Sequence, residues 1–232
     1  MIRGLFISGT DTGIGKTLVS CALLRGLRAS GVDAVGMKPV ASGCTMTSAG
    51  LRNDDALDLI AASGRDIDYG LVNPYAFAEP IAPHLAAADA GTPIDLARIG
   101  NAHAQLRAQS ECVVVEGVGG WLAPLGGSLM QSDLVLALEL PVVLVVGLRL
   151  GCINHALLTA RAIKADGCRL IGWIANRIDP AMLRIEDNID ALRQRIQAPL
   201  LDIVEHAGNP RVASEIRLSA DALRVLLADA GN

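Results

Sequence analysis

One short segment restricts this chain more than any other. Gly9-Thr10-Asp11-Thr12-Gly13-Ile14-Gly15-Lys16-Thr17 follows the apolar run Leu5-Phe6-Ile7. It opens a stretch of helical period, Lys16 to Ala29, with Leu18, Val19, Ala22, Leu23 and Leu27 on one side. Glycines let the backbone curl so that successive N–H groups point inward, and a helix N-terminus behind them adds positive potential. A strand, a glycine-rich turn and a helix in that order make a phosphate cradle. Lys16 would reach the β- and γ-phosphates of a nucleoside triphosphate, and the Thr17 hydroxyl would hold magnesium. Thr10 stands where the strict pattern has its first glycine, which here is displaced to Gly9. An ordinary strand-to-helix turn is the plain alternative.

The rest of the chain repeats the alternation. Val35 to Met37 reads as a short strand ended by Pro39. Val113 to Val115, Val142 to Val146 and Leu170 to Ala175 are apolar runs rich in β-branched residues, and Leu200 to Val204 reads as a last strand. Such runs imply strands buried on both faces, hence parallel strands covered by helices. Helical segments are expected at Asp54–Ala62, Ile94–Gln109 (capped by Thr92 or Asp95), Asn154–Ala165, Met182–Ile196 and Ala220–Leu227. The expectation is one α/β domain over residues 1–232. Its sheet is doubly wound and mostly parallel, with helices on both faces, of the P-loop NTPase type.

Composition narrows the function. The net charge is -4 and aromatic residues make up 3%, which argues against nucleic acid as a partner. The five cysteines include no Cys-x-x-Cys pair, so reduced thiols in a cytoplasmic protein are expected. No secretion signal is evident at the N-terminus. The longest apolar stretch, Leu134 to Leu148, is broken by Glu139 and Pro141 and suits a helix end plus a strand rather than a membrane span.

Other candidate residues lie where a parallel sheet puts its ligands, beyond the strand ends. Glu116 ends the Val113 strand and suits a magnesium ion shared with phosphates, or is a solvated strand-end acid. Asp54 and Asp55 begin a helix after the polar loop from Ser42 to Asn53, and capping alone explains them. Lys38 could stabilise charge on a transferring phosphoryl group as an unpaired cation, or simply face solvent. Thr10 and Ser42 carry no signal of their own. Gly151-Cys152-Ile153-Asn154-His155 offers free N–H groups that could take a carboxylate, with Asn154 as a possible N-cap. Asn176 could read a base edge or be a turn residue.

The residues together resemble the dethiobiotin synthetase family over nearly the whole chain. The resemblance rests on Gly9 to Thr17, Lys38-Pro39-Val40-Ala41-Ser42-Gly43, Gly50 to Asn53, Asp55-Ala56-Leu57, Val72 to Tyr75 and Phe77 to Pro80. It continues through Val115-Glu116-Gly117-Val118-Gly119-Gly120-Trp121 and Leu150 to Ala156. It implies a homodimer that takes 7,8-diaminopelargonate, CO2 and ATP to dethiobiotin, ADP and phosphate. Lys16 and Lys38 would neutralise phosphate charge, and Thr17, Asp55 and Glu116 would hold Mg2+. Gly13, Ile14, Gly15, Gly117, Val118, Gly119, Asn176 and Arg177 would contact the nucleotide. Thr10 and Ser42 would meet the diamine or carbamate end. Gly151, Cys152 and Asn154 of the second subunit would receive the substrate carboxylate. Gly13 replaces an acidic residue of some members, Asn188 a tyrosine, and Ile203 to His206 departs from their base-contacting stretch. A nucleotide switch of the partitioning type is the other class considered. It carries a lysine where this chain has Asp11, and it often adds a membrane or DNA surface, for which no basic helix is evident here.

Overall fold

A computed structural model describes residues 3–206 and 218–228. Its centre is a six-stranded sheet in which every pairing is parallel. The chain enters through β1 (Gly4–Gly9), passes the phosphate loop into α1 (Lys16–Ala29), and returns as β2 (Ala34–Met37). Two small pairs follow around α2 (Asp54–Ser63) and α3 (Tyr69–Val72): β3 (Val40–Ala41) with β6 (Tyr75–Ala76), and β4 (Thr45–Thr47) with β5 (Gly50–Arg52). Helices α4 (Pro83–Asp89) and α5 (Leu96–Ala108) lead to β7 (Cys112–Glu116). The hairpin β8 (Pro124–Gly126) and β9 (Leu129–Met130) runs into α6 (Gln131–Leu138). Then come β10 (Val142–Gly147), α7 (Cys152–Ala165), β11 (Leu170–Asn176), α8 (Ile185–Arg193), β12 (Leu200–Val204) and α9 (Ala220–Ala228).

The sheet order is β12-β11-β10-β1-β7-β2, which puts the first strand in the middle. The β-branched runs are buried on both faces, as their composition predicts. Leu5, Ile7, Val114, Val143 and Val145 pack on one face with Leu23 and Leu27 of α1, Leu59 of α2 and Leu226 of α9. Phe6, Val115, Leu144 and Val146 face the other way, in one cluster with Leu106 of α5, Leu134 of α6, Ala156 of α7 and Leu192 of α8. Burying an apolar side chain of this size contributes about 1.5–3 kcal/mol, so two filled faces hold the strand ends firmly. Because all six strands run parallel, the C-terminal ends of β1, β2, β7, β10 and β11 share one edge.

Several expected boundaries are corrected. The helix expected to start at Asn154 starts at Cys152, and its N-cap is Gly151 in the left-handed region, not Asn154. The segment expected helical from Met182 to Ile196 is helical only over Ile185–Arg193; the Met182 N–H instead closes a turn on the Asp179 carbonyl. Asp95, not Thr92, caps α5, accepting from the Ala97 N–H. The polar loop before α2 contains the β4–β5 hairpin.

Candidate functional site

The strand ends open into a cavity of about 880 Å³ lined by the phosphate loop, Lys38, Ser42, Asp55, Glu116 and the turn Val118–Gly120. Its opposite wall is apolar: Pro80, Ile81, Ala82 and Pro83 ahead of and within α4, with Ala123 and Pro124 at the start of β8.

The loop is built as its sequence implies. Gly15 sits at φ 83 as the N-cap of α1, a left-handed conformation that costs other residues about 1–2 kcal/mol. A Cβ there would also overlap the Asn176 side-chain amide. Lys16 is buried and its Nζ donates to the Asp11 carbonyl at 2.8 Å. Burial first, and the repulsion of Lys38 second, bring its pKa down to about 8. Asp11 is in turn bridged by Arg149, which ties the loop to the segment ahead of α7.

Four groups converge at the far side of the loop. The Thr17 hydroxyl lies 2.8 Å from Asp55 Oδ1 and 2.9 Å from Glu116 Oε1. Lys38 Nζ lies 2.6 Å from Glu116 Oε1 and 2.9 Å from Asp55 Oδ2. Two readings from sequence are thereby overturned. Glu116 is fully buried rather than solvated, and Lys38, 4% exposed, is neither solvent-facing nor unpaired. Burial alone would lower the Lys38 pKa, but Glu116 and Asp55 outweigh it and hold the ammonium above the usual lysine range. Burial alone would raise Asp55, and the attraction and hydrogen bond of Lys38 instead keep its carboxyl below the usual range. The N-cap of α2 is Asn53, whose side chain accepts from the Ala56 N–H, so Asp55 is free to reach across to α1 and Lys38.

The donor set fits a hard divalent cation. Glu116 Oε2 is buried with no hydrogen-bond partner, and an orphaned carboxylate oxygen in a polar cleft is a strong cation acceptor. Among the described residues no three His, Cys, Asp or Glu form a closed metal cage. A hydroxyl and two carboxylates leave positions for water and phosphate oxygens, the preference of Mg2+.

A supporting network escaped the sequence reading. Tyr69 of α3 donates to Asn73 Oδ1 at 2.9 Å and accepts from the Asn53 N–H at 2.8 Å. Asn73 Nδ2 donates to the Lys38 carbonyl at 2.6 Å, and the Lys38 N–H donates to Val72 O. One hydrogen-bonded chain thus sets both the backbone of Lys38 and the start of the helix that carries Asp55. Gln131, fully buried at the head of α6, accepts from the Val118 N–H and donates to the Gly120 carbonyl, fixing the turn after Glu116. A Cβ at Gly117 would meet the Gln131 Oε1 at 2.5 Å. Asn53 and Asn73 fall within segments that carry the family resemblance, but nothing local in the sequence marks Tyr69 or Gln131 for these contacts.

The remaining expected residues are distributed as follows. Ser42 lines the cavity and its buried hydroxyl has no partner, while Thr10 lies at the base of the loop, its N–H bonded to Val145 O. Gly13 and Val118–Gly119 line the cavity, and Ile14 is buried beneath the loop. Asn176 ends β11 and is buried. Arg177 pairs with Glu186 and Glu205. Gly151, Cys152 and Asn154 sit at the N-terminus of α7 and do not line the cavity of their own chain.

Comparison with known proteins gives a consistent answer. A protein-family profile described as an AAA domain matches residues 3–209. ATP-dependent dethiobiotin synthetase BioD of Xanthomonas oryzae pv. oryzae (strain PXO99A) is 64% identical over 194 residues, 84% of this chain and 87% of that protein. The protein of the same name from Xylella fastidiosa (strain 9a5c) is 57% identical over 205 residues, 88% of this chain and 91% of its own length. Among solved structures, the MinC:MinD cell division complex of Aquifex aeolicus aligns with a TM-score of 0.59 at 17% identity, covering 97% of this chain and 96% of that one. A ParA family ATPase from Chlorobium tepidum TLS aligns with a TM-score of 0.55 at 13% identity, covering 100% and 93%. At those identities the structural neighbours speak for the P-loop fold alone.

Proposed function

The chain belongs to the ATP-dependent dethiobiotin synthetase family, and from that premise we propose how its residues carry out the ATP-dependent ring closure of biotin biosynthesis. One amine of 7,8-diaminopelargonate adds to CO2 and loses a proton, giving a carbamate. A carbamate oxygen attacks the γ-phosphorus of ATP, and ADP leaves. The second amine then attacks the carbamic carbon of the mixed anhydride, a C–N bond forms, and phosphate departs as the urea ring closes.

None of these steps requires a protein nucleophile. They require alignment and charge neutralisation, which supply most of the rate in phosphoryl transfer. In this reading the loop N–H groups and Lys16 hold the β- and γ-phosphates. Lys38 faces the oxygens that gain charge as the γ-phosphoryl group transfers. Thr17, Asp55 and Glu116 would hold Mg2+, which would supply positive charge to offset that of the phosphates. Ser42, an orphaned hydroxyl at the cavity wall, orients the carbamate end, with Thr10. The apolar wall of Pro80, Ile81, Ala82 and Pro83 suits the aliphatic chain.

The observation that carries the reading is the cluster of Lys38, Asp55, Glu116 and Thr17 at the mouth of the phosphate loop. We place the substrate carboxylate on the N-terminal N–H groups of α7 from a second subunit, through Gly151, Cys152 and Asn154, so that two chains complete each site. All five cysteines are free thiols, which supports a reducing, cytoplasmic setting.

The test is phosphate release from ATP by the purified protein. Release that requires both the diamine and bicarbonate is expected. Equal hydrolysis with and without the diamine would overturn the reading.

A further inference from the structure

Asn176 is 3% exposed at the last position of β11, and its neighbours hold it on both sides. Its carbonyl accepts from the Leu148 N–H at 2.7 Å, and the next residue's N–H donates to Val204 O. Asn176 does not line the cavity. Its side-chain Nδ2 donates to the carbonyl of Ile14, inside the phosphate loop, at 2.7 Å.

That bond has a geometric consequence. A peptide unit is planar and trans, so its C=O and the following N–H point in opposite directions. Drawing the Ile14 carbonyl toward β11 therefore turns the Gly15 N–H away from β11, to the side on which Gly15 lines the phosphate cavity. The opposite peptide orientation would present a carbonyl oxygen to the phosphates and remove a donor. The rest of the unit is equally constrained. Ile14 packs so closely on Gly147 that a Cβ there would lie 2.6 Å from its Cγ2, and the Asn176 amide fills the space a Gly15 side chain would need.

We propose that Asn176 is a positioning residue for phosphate: it clasps the loop from the neighbouring strand and fixes the Gly15 N–H as a donor. The role is separate from the base contact that family resemblance gives to this residue. Nδ2 carries a second hydrogen and Oδ1 accepts, so one side chain can hold the loop and meet a base. The proposal rests on the nucleotide-binding reading above.

A probe without a base separates the two roles. Binding of Mg2+–tripolyphosphate and of Mg2+–ADP is measured by calorimetry on the wild type, Asn176→Ala and Asn176→Val. Valine keeps a strand-compatible side chain, and thermal unfolding checks that each variant is folded. Loss of one buried hydrogen bond to an otherwise unsatisfied carbonyl predicts a fall in tripolyphosphate affinity on the order of tenfold in both variants. Faster hydrogen exchange at the loop amides of the free variants is also expected, while the KM for the diamine stays put. Wild-type tripolyphosphate affinity in a folded variant, with only ADP binding weakened, overturns the clasp and leaves a base-reading role. Failure of the wild type to bind either probe would instead overturn the nucleotide reading itself.

Discussion

The ammonium of Lys38 sits 2.6 Å from Oε1 of Glu116, with Lys38 4% exposed and Glu116 fully buried. In the protein without nucleotide this lysine neutralises the same carboxylates that would hold the divalent cation. Under the proposed mechanism Lys38→Ala removes the charge that would face the transferring phosphoryl group, so turnover is expected to fall on the order of 10²–10³-fold. The free protein should at the same time bind Mn2+ more tightly, on the order of tenfold, since a competing unit charge near the carboxylates is gone. Steady-state rates and a Mn2+ titration followed by electron paramagnetic resonance check both. Near-normal turnover would remove Lys38 from the chemistry.

Gly15→Ala should be far worse than Gly13→Ala. Both glycines have positive φ, 83 and 71, so both variants carry left-handed strain of about 1–2 kcal/mol. Only at Gly15 does the new methyl overlap Asn176; at Gly13 nothing lies within 4 Å. ADP affinity is expected to collapse in the first and to change by less than about tenfold in the second. Equal effects in a titration would mean that strain alone matters.

Tyr69→Phe should weaken the site from outside it. The hydroxyl links Asn53 to Asn73, and Asn73 to the Lys38 carbonyl. Leaving those groups without their partner should cost about 1–3 kcal/mol in denaturant unfolding. Turnover is expected to fall more than ADP affinity, because Lys38 and Asp55 shift while the loop does not. A variant with wild-type unfolding and kinetics would show that the network is redundant.

His103 predicts acid sensitivity. Burial, with Arg107 second, lowers its pKa from 6.5 to about 4, so the folded protein disfavours the proton that the unfolded chain accepts. Its contribution is fully present above pH 6.5 and is lost as pH falls from there toward 4. His103→Leu should flatten that part of the stability profile. Urea midpoints at pH 7.5, 6 and 5 decide it; parallel profiles for the two proteins would assign the loss to other groups.

Much of the fold was legible along the chain, because the signals are local. The period from Lys16 to Ala29 gave a helix with those bounds, and the Val142 and Leu200 runs gave strands. Reading was poorest where capping and turns decide. Gly151 begins α7 through its left-handed φ, a freedom that the following asparagine obscured. The short pairs β4–β5 and β8–β9 have too few residues to show alternation.

The sequence by itself determined that phosphate would be bound, since strand, glycine turn, lysine and threonine are contiguous and their geometry follows from the backbone. It also placed Lys38, Asp55, Glu116 and Asn176 at element ends. Only the tertiary structure decided what they do there. Lys38 and Glu116 are 78 residues apart, and Asn176 is 162 from Ile14. Their contacts exist because β1 lies in the middle of a parallel sheet that brings β2, β7 and β11 to one edge. Burial at that edge then turns a lysine that sequence would leave in solvent into a counter-ion, and a strand-end asparagine into a clasp on the loop.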